Sequence, residues 1–184
     1  MAQMFKMMNE ERLMSGISGY ALAASAYHNA VQYASERIQG RATANPKAGR
    51  CAIVKHEDIK RMLMFQKSHI EASRAMALST FRWVDIQNYS NDPELRQQAA
   101  VFLEINTPII KAYCSDMALQ SISEALQIYG GYGFSEEYPV AAIYRDARIY
   151  PIWEGTNYIQ SMDLVGRKMT MKKGQIFGAW VQHI

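Results

Sequence analysis

Apolar positions recur at intervals of three and four along the first forty residues. Leu13, Ile17, Tyr20, Ala24, Tyr27, Val31, Ala34 and Ile38 make an unbroken seam, which predicts one long helix over residues 8–39. Ala21, Ala23, Ala26 and Ala30 lie beside the seam and leave room for a close neighbouring helix. Gly40 stops the helix, and Arg41 to Arg50, with Asn45, Pro46 and Gly49, read as a polar loop. A second helix starts near His56-Glu57-Asp58, whose acids suit a helix N-terminus, and runs to about Asn88. Its Met62-Leu63-Met64-Phe65 run is apolar around more than one face, so this helix is expected to be central. Ser90-Asn91-Asp92-Pro93 places capping residues before a proline, the signature of a helix start. The third helix runs from there towards Tyr129, with Thr107-Pro108 as a restart or kink.

Gly130-Gly131-Tyr132-Gly133 ends that helix abruptly. A short helix from Tyr138 to Ala147, an extended Tyr150-Pro151-Ile152-Trp153 and a last helix from about Gly155 to Lys168 follow. Strand-like alternation and internal repeats are missing from the pattern. Long helices joined by short loops imply an all-α, up-and-down four-helix bundle with short extra C-terminal helices. The bundle is expected over residues 1–168, with 169–184 as a C-terminal extension, and the basic run Arg167 to Lys173 as a solvated helix end.

Composition narrows this little. A length of 184 residues suits one domain with a real core. Twenty basic against 17 acidic residues leave +3, too little to argue for nucleic acid or an anionic membrane. Cys51 and Cys114 lack the spacing of a disulfide framework or a zinc site. With no apolar run near 20 residues and no secretory start, a cytoplasmic location is expected. His28, His56, His69 and His183 are scattered without carboxylates at ligand spacing, so no metal is expected.

Two local patterns carry candidate chemistry. In Gln127 to Phe134, three glycines in four residues let another backbone or a phosphate approach closely, although a helix C-cap explains them as well. In Ile152-Trp153-Glu154-Gly155-Thr156-Asn157, a lone carboxylate sits between bulky apolar residues and a helix start. Burial there would favour the protonated form and the helix N-terminus the ionised one, so Glu154 reads either as a general base or as an N-terminal helix acid. Gly155 leaves room for a flat ligand, and Thr156 can cap the helix or donate a hydrogen bond.

Five stretches in order add weight: Met8-Asn9-Glu10-Glu11-Arg12, Tyr33 to Gly40, Gln127 to Phe134, Tyr144-Arg145-Asp146-Ala147-Arg148, and Trp153-Glu154-Gly155-Thr156. Together they resemble the C-terminal helical domain of the FAD-dependent acyl-CoA dehydrogenases, up to about Lys168. The resemblance implies that Glu154 is the base that removes the α-proton of an acyl-CoA thioester while the β-hydride passes to FAD. It places Trp153 on the acyl pocket and Arg12 against the CoA. For FAD it implies Arg37, Gln127, Gly130 and Gly131 towards the cofactor of a neighbouring subunit, Thr156 towards the subunit's own, and hence a homo-oligomer. Arg145 and Asp146 are expected to form a structural ion pair.

Three features depart from the family pattern. Gly40-Arg41 and a long loop to Cys51 follow the Arg37-x-Gln39 pattern, which weakens the adenine-side contact and suggests a divergent branch built from larger chains. Glu11 stands where some members place their base. The family's N-terminal helical and middle β-domains have no counterpart here, so an excised or truncated C-terminal domain, inactive alone, is expected. Two other classes remain open: a non-dehydrogenase flavoprotein of the same fold, resembling the alkylation-response branch associated with DNA, and a purely structural oligomerisation bundle. A deep pocket beside Glu154 would count against the last.

Overall fold

The computed structural model describes residues 2–182, so His183 lies outside the described residues. Three helices are long: α1 (Ala2–Glu36), α2 (Glu57–Tyr89) and α3 (Pro93–Tyr129). Short elements follow: α4 (Gly131–Phe134), α5 (Pro139–Ala147), α6 (Asn157–Met162), a π-turn (Asp163–Arg167), a 3-10 stretch (Lys168–Gly174) and α7 (Gln175–Val181). The all-α class holds, with the long helices first and the short C-terminal ones after them. Among the described residues the sole β feature is one antiparallel bridge, Ile38 to Ala52.

Local chemistry sets the ends. Glu57 and Asp58 fill the first turn of α2, as expected. Asp92 caps α3, its carboxylate accepting from the Glu94 and Leu95 amides at 2.8 and 3.3 Å, one residue before Pro93. α1 ends at Glu36, three residues earlier than its apolar seam suggested. Ile38 is exposed and belongs to the bridge.

α3 runs through Pro108 without a restart. Proline has no N–H to give the carbonyl four residues back, here Glu104. The Lys168 ammonium replaces it, donating to Glu104 O at 2.6 Å, while Thr107 Oγ1 donates to Leu103 O at 2.7 Å. Lys168 is fully buried, against the expectation of a solvated basic tail. Lys172 and Lys173 also depart from a helix end: their φ values of 48° and 58° form a left-handed turn into Gly174.

The described residues divide into two compact units, one drawn from 2–18, 73–115 and 150–182, the other from 19–72 and 116–149. In the second, Ala23, Ala26, Ala30 and Ala34 of α1 are buried with Met62, Ile70, Ile122, Ala125 and Ile128, and α5 adds Val140 and Ala147. Ala23, Ala26 and Ala30 of the alanine row therefore face inward with Ala34 of the predicted seam, while Ala21 is exposed and Ala24, Tyr27 and other seam members are half-buried. α2 is not buried all round: Met64 is exposed while Met62 is buried. In the first unit, Leu13, Ile110 and Cys114 form the centre with Met76, Phe81 and Val84 against it. A β-carbon on Gly16 would stand 2.5 Å from Ile110 Cγ2 and 3.1 Å from Ile110 O, so glycine is required there by close packing. Residues 169–182 belong to this unit: Ile176 is buried and Trp180 Nε1 donates to Asn106 Oδ1 at 3.3 Å.

Candidate active site

Glu154 sits in the turn between Tyr150 and α6, and its backbone is unusual. Its φ is +54°, a left-handed conformation that costs a residue with a β-carbon, and Gly155 follows at +87°. Several donors hold this turn. Arg12 Nε, from α1, donates to Glu154 O at 3.2 Å. Gln160 Nε2, one turn into α6, donates to both Glu154 O at 3.3 Å and Gly155 O at 3.1 Å. The Asn157 amide closes the loop on Pro151 O at 3.1 Å. Asn157's side chain then ties α6 to α3: its Oδ1 accepts from Lys111 Nζ at 2.9 Å, and its Nδ2 donates to Ser115 Oγ at 2.9 Å. Thr156 Oγ1 caps α6 by accepting from the Ile159 amide at 3.4 Å. A β-carbon on Gly155 would lie 2.8 Å from Gln160 Nε2, so the clamp also depends on the glycine.

The backbone is held, but the side chain is not. The half-buried Glu154 carboxylate makes no hydrogen bond or ion pair among the described residues. Ile152 and Trp153 are exposed, Trp153 by 41%, so within this unit they do not surround the carboxylate as their sequence positions suggested. Glu11 is exposed on α1.

Arg12 is a buried cation, 7% exposed. Besides Glu154 O, its Nη1 donates to Asn9 Oδ1 at 3.3 Å and stands 3.9 Å from Asp163 Oδ2. Asp163 also pairs with Arg167 at 2.6 Å and Lys168 at 3.6 Å. Burial raises the Asp163 carboxyl, but the Arg167 hydrogen bond and the charges of Lys168, Arg167 and Arg12 outweigh it and hold the carboxyl below its usual range. A cavity of about 740 Å³ borders this network, lined by Asn9, Glu10, Leu13, Glu104, Thr107 and Arg167 among others; Glu154 is not part of its wall.

The second unit carries the other expected cluster. Arg37 lies over the Tyr132 ring, its Cζ 5.4 Å from the centroid, so it meets the glycine-rich turn. Its Nε is buried without a hydrogen-bond partner. Gln127, Gly130 and Gly131 are exposed, and a β-carbon on either glycine would meet nothing within 4 Å, which leaves the turn open to a ligand. Tyr33 stacks on Tyr129 at 4.1 Å and Tyr138 packs edge-on to both, forming a floor below the turn. Burial pushes the Tyr33 hydroxyl up, with Arg37 acting the other way, and burial also raises Tyr129, whose hydroxyl donates to Asn29 O at 3.1 Å. An arginine with an unpartnered Nε beside an exposed turn with open space at Gly130 and Gly131 suits a phosphate-bearing cofactor such as FAD, although the Gly130 amide itself is bonded to Gln127 O at 3.1 Å.

The long loop leaves Arg37 in place. Gln39 N donates to Cys51 O at 3.0 Å, Cys51 N to Gly40 O at 3.2 Å and Ile53 N to Arg37 O at 2.9 Å, which closes the loop at its base. Arg145 pairs with Glu136, Nη2 to Oε2 at 2.7 Å, and not with its sequence neighbour Asp146 as expected. That bond holds the Glu136 carboxyl below its usual value. The structure thus gathers Arg12, Trp153, Glu154 and Thr156 in one unit and Arg37, Gln127, Gly130 and Gly131 in the other. Sequence reasoning quoted Asn157 without a role and missed Gln160 and Lys111. The polar spacing of Asn157 and Gln160 along one helix was the signal for these two, and nothing signalled Lys111.

Residues 1–169 match the family model described as acyl-CoA dehydrogenase, C-terminal domain. The chain belongs to that family. It is 46% identical over all 184 residues to a butyryl-CoA dehydrogenase of Syntrophomonas wolfei, spanning 30% of that protein. It is 40% identical over 172 residues to the 3-methylmercaptopropionyl-CoA dehydrogenase of Ruegeria pomeroyi, covering 94% of this chain and 29% of the relative. The structure of Caenorhabditis elegans ACDH-11 in complex with C11-CoA superposes with a TM-score of 0.84 at 22% identity, over 99% of this chain and 29% of that one, a likeness of fold. The chain therefore spans about a third of the length of these relatives.

Proposed function

We propose that this chain is the base-carrying domain of a flavoprotein acyl-CoA dehydrogenase, acting together with further flavin- and substrate-holding domains, and that its 184 residues alone do not turn over. One observation carries the reading: an unpaired Glu154 carboxylate on a backbone clamped from α1 and α6. An α-proton of a thioester is weakly acidic, so its base must be held in place and left without a neutralising partner. Glu154 takes that proton onto a carboxylate oxygen. Trp153, exposed in this unit, lies against the acyl chain, and the remaining wall that excludes water comes from the other domains. The two curated relatives carry butyryl and 3-methylmercaptopropionyl in their names, which supports a short, unbranched acyl group.

FAD, when bound, supplies the acceptor for the hydride leaving the β-carbon. Arg37, Gln127, Gly130 and Gly131 would hold the FAD of a second copy of the protein, and Thr156 the copy's own. The unpartnered Arg37 Nε and the open glycine turn support the first contact, and the 91% exposure of Phe134 beside that turn supports a covered, oligomeric surface. Two unpaired cysteines, and the lack among the described residues of any helix long and apolar enough to cross a membrane, support a cytoplasmic place.

The test is anaerobic addition of butyryl-CoA to the complete flavoprotein and to its Glu154→Gln variant. Bleaching of the flavin absorbance is expected in the first and not in the second. Bleaching that survives the substitution would move the base elsewhere, with Glu11 the next candidate.

A further inference from the structure

We propose that Arg12 is a positioning residue for the Glu154 base, holding the left-handed Glu154–Gly155 turn from inside the unit, and that it does not bind the CoA. The inference rests on Glu154 being the base. A cation that meets a phosphate or an adenine needs a free face, and Arg12 has little of one. It is 7% exposed, donates to two acceptors, Asn9 Oδ1 in its own helix and Glu154 O in the turn, and lies 3.9 Å from the charge of Asp163 Oδ2 after α6, an ion pair without a hydrogen bond.

What Arg12 holds is a conformation that the residue itself resists. At φ +54° the Glu154 side chain is aimed by a backbone that would relax towards negative φ without external bonds. Arg12 and Gln160 supply those bonds, both to the same carbonyl oxygen, and Gln160 reaches Gly155 O as well. Arg12 is in turn fixed by Asp163, which Lys168 and Arg167 flank. Lys168 also donates to the Glu104 carbonyl that Pro108 leaves open. A chain of charged contacts thus runs from the interior of α3 to the backbone of the base. Loss of Arg12 would free the turn and displace the carboxylate without touching a substrate contact, and a displacement of about 1 Å is worth up to roughly 100-fold in rate.

Two measurements test this. In the complete flavoprotein, Arg12→Ala is expected to lower kcat for butyryl-CoA by roughly 10- to 100-fold with KM little changed, and Arg12→Lys to recover part of the loss. A raised KM at constant kcat would make Arg12 a substrate ligand and overturn the proposal. In the 184-residue chain, Arg12→Ala should speed hydrogen exchange of the Asn157 amide, which closes the turn on Pro151, at least tenfold; an unchanged rate would equally overturn it. Should Arg12→Ala not fold, Gln160→Met removes the second donor to the same carbonyl and is expected to show the same kcat-selective loss. The two proposals fail separately: bleaching that survives Glu154→Gln removes the base assignment whatever the exchange data show, and unchanged exchange removes the positioning role whatever the base is.

Discussion

Glu154 shares positive φ with only two other non-glycine residues among those described, Lys172 and Lys173. A side chain in that region is tolerated where function needs it, and glycine would be more comfortable there. Glu154→Gly is therefore expected to raise the stability of the 184-residue chain by about 1 kcal/mol in urea unfolding and, on the proposed role of the carboxylate, to abolish flavin bleaching by butyryl-CoA in the complete flavoprotein. A loss of stability would mean that the turn is not strained. The motif around Glu154 was legible in the sequence because Trp153, Gly155 and Thr156 stand beside it. Its environment was not. Whether Ile152 and Trp153 cover a carboxylate depends on which way the turn faces, and the clamp comes from Arg12, 142 positions away. The same distance hid the burial of Arg12, since a lone arginine on an amphipathic helix reads as solvated until its partners are known.

At the scale of elements, Pro108 and Lys168 form one device. Lys168→Met leaves the Glu104 carbonyl and the carboxylates of Glu104 and Asp163 without their shared cation, at a cost of about 3 kcal/mol. Pro108→Ala restores an N–H at the position that can satisfy Glu104 O. The second change should therefore recover about 1 kcal/mol in the Lys168→Met background and much less in the parent chain. Additive effects in a double-mutant cycle by urea unfolding would show that the lysine does not stand in for the missing amide. The three long helices, α5 and the start of α6 were legible, because apolar periodicity and capping chemistry are local; α4 within the glycine-rich turn, α7 in the C-terminal extension and the π and 3-10 turns after Met162 were not. Facing was less so: in α1 the bulky seam and the alanine row lie side by side, and hydrophobicity favours the first. Close packing favours the second, because small side chains let another backbone approach. The break expected at Pro108 is absent because its compensation comes from 60 residues downstream.

At the scale of the whole chain, the candidate FAD contacts are distributed over both units: Thr156 in one, and Arg37, Gln127, Gly130 and Gly131 in the other. Under the proposed function each set is one part of a cofactor site, and Thr156, Gln127, Gly130 and Gly131 are exposed. The 184 residues alone should bind FAD weakly or not at all in calorimetric titration, and tight stoichiometric binding would refute the need for further domains. Fold class and family were legible because five motifs recur in order at compatible spacing. The division into two compact units was not, since α1, α2 and α3 each contribute to both and no composition change marks the boundary.

The loop from Arg41 to Arg50 is mostly exposed, and the bonds among Arg37, Gln39, Gly40, Cys51 and Ile53 close its neck. The neck separates most of the loop from Arg37, which follows the end of α1, although Thr43 still bonds to Glu57 at the start of α2. Loop closure entropy grows only logarithmically, by about 0.6 kcal/mol per doubling of length. This makes the loop a natural graft point: an epitope, a fluorophore attachment sequence or a small inserted domain placed near Pro46 would report on the protein from outside while the glycine turn and the base stay as they are.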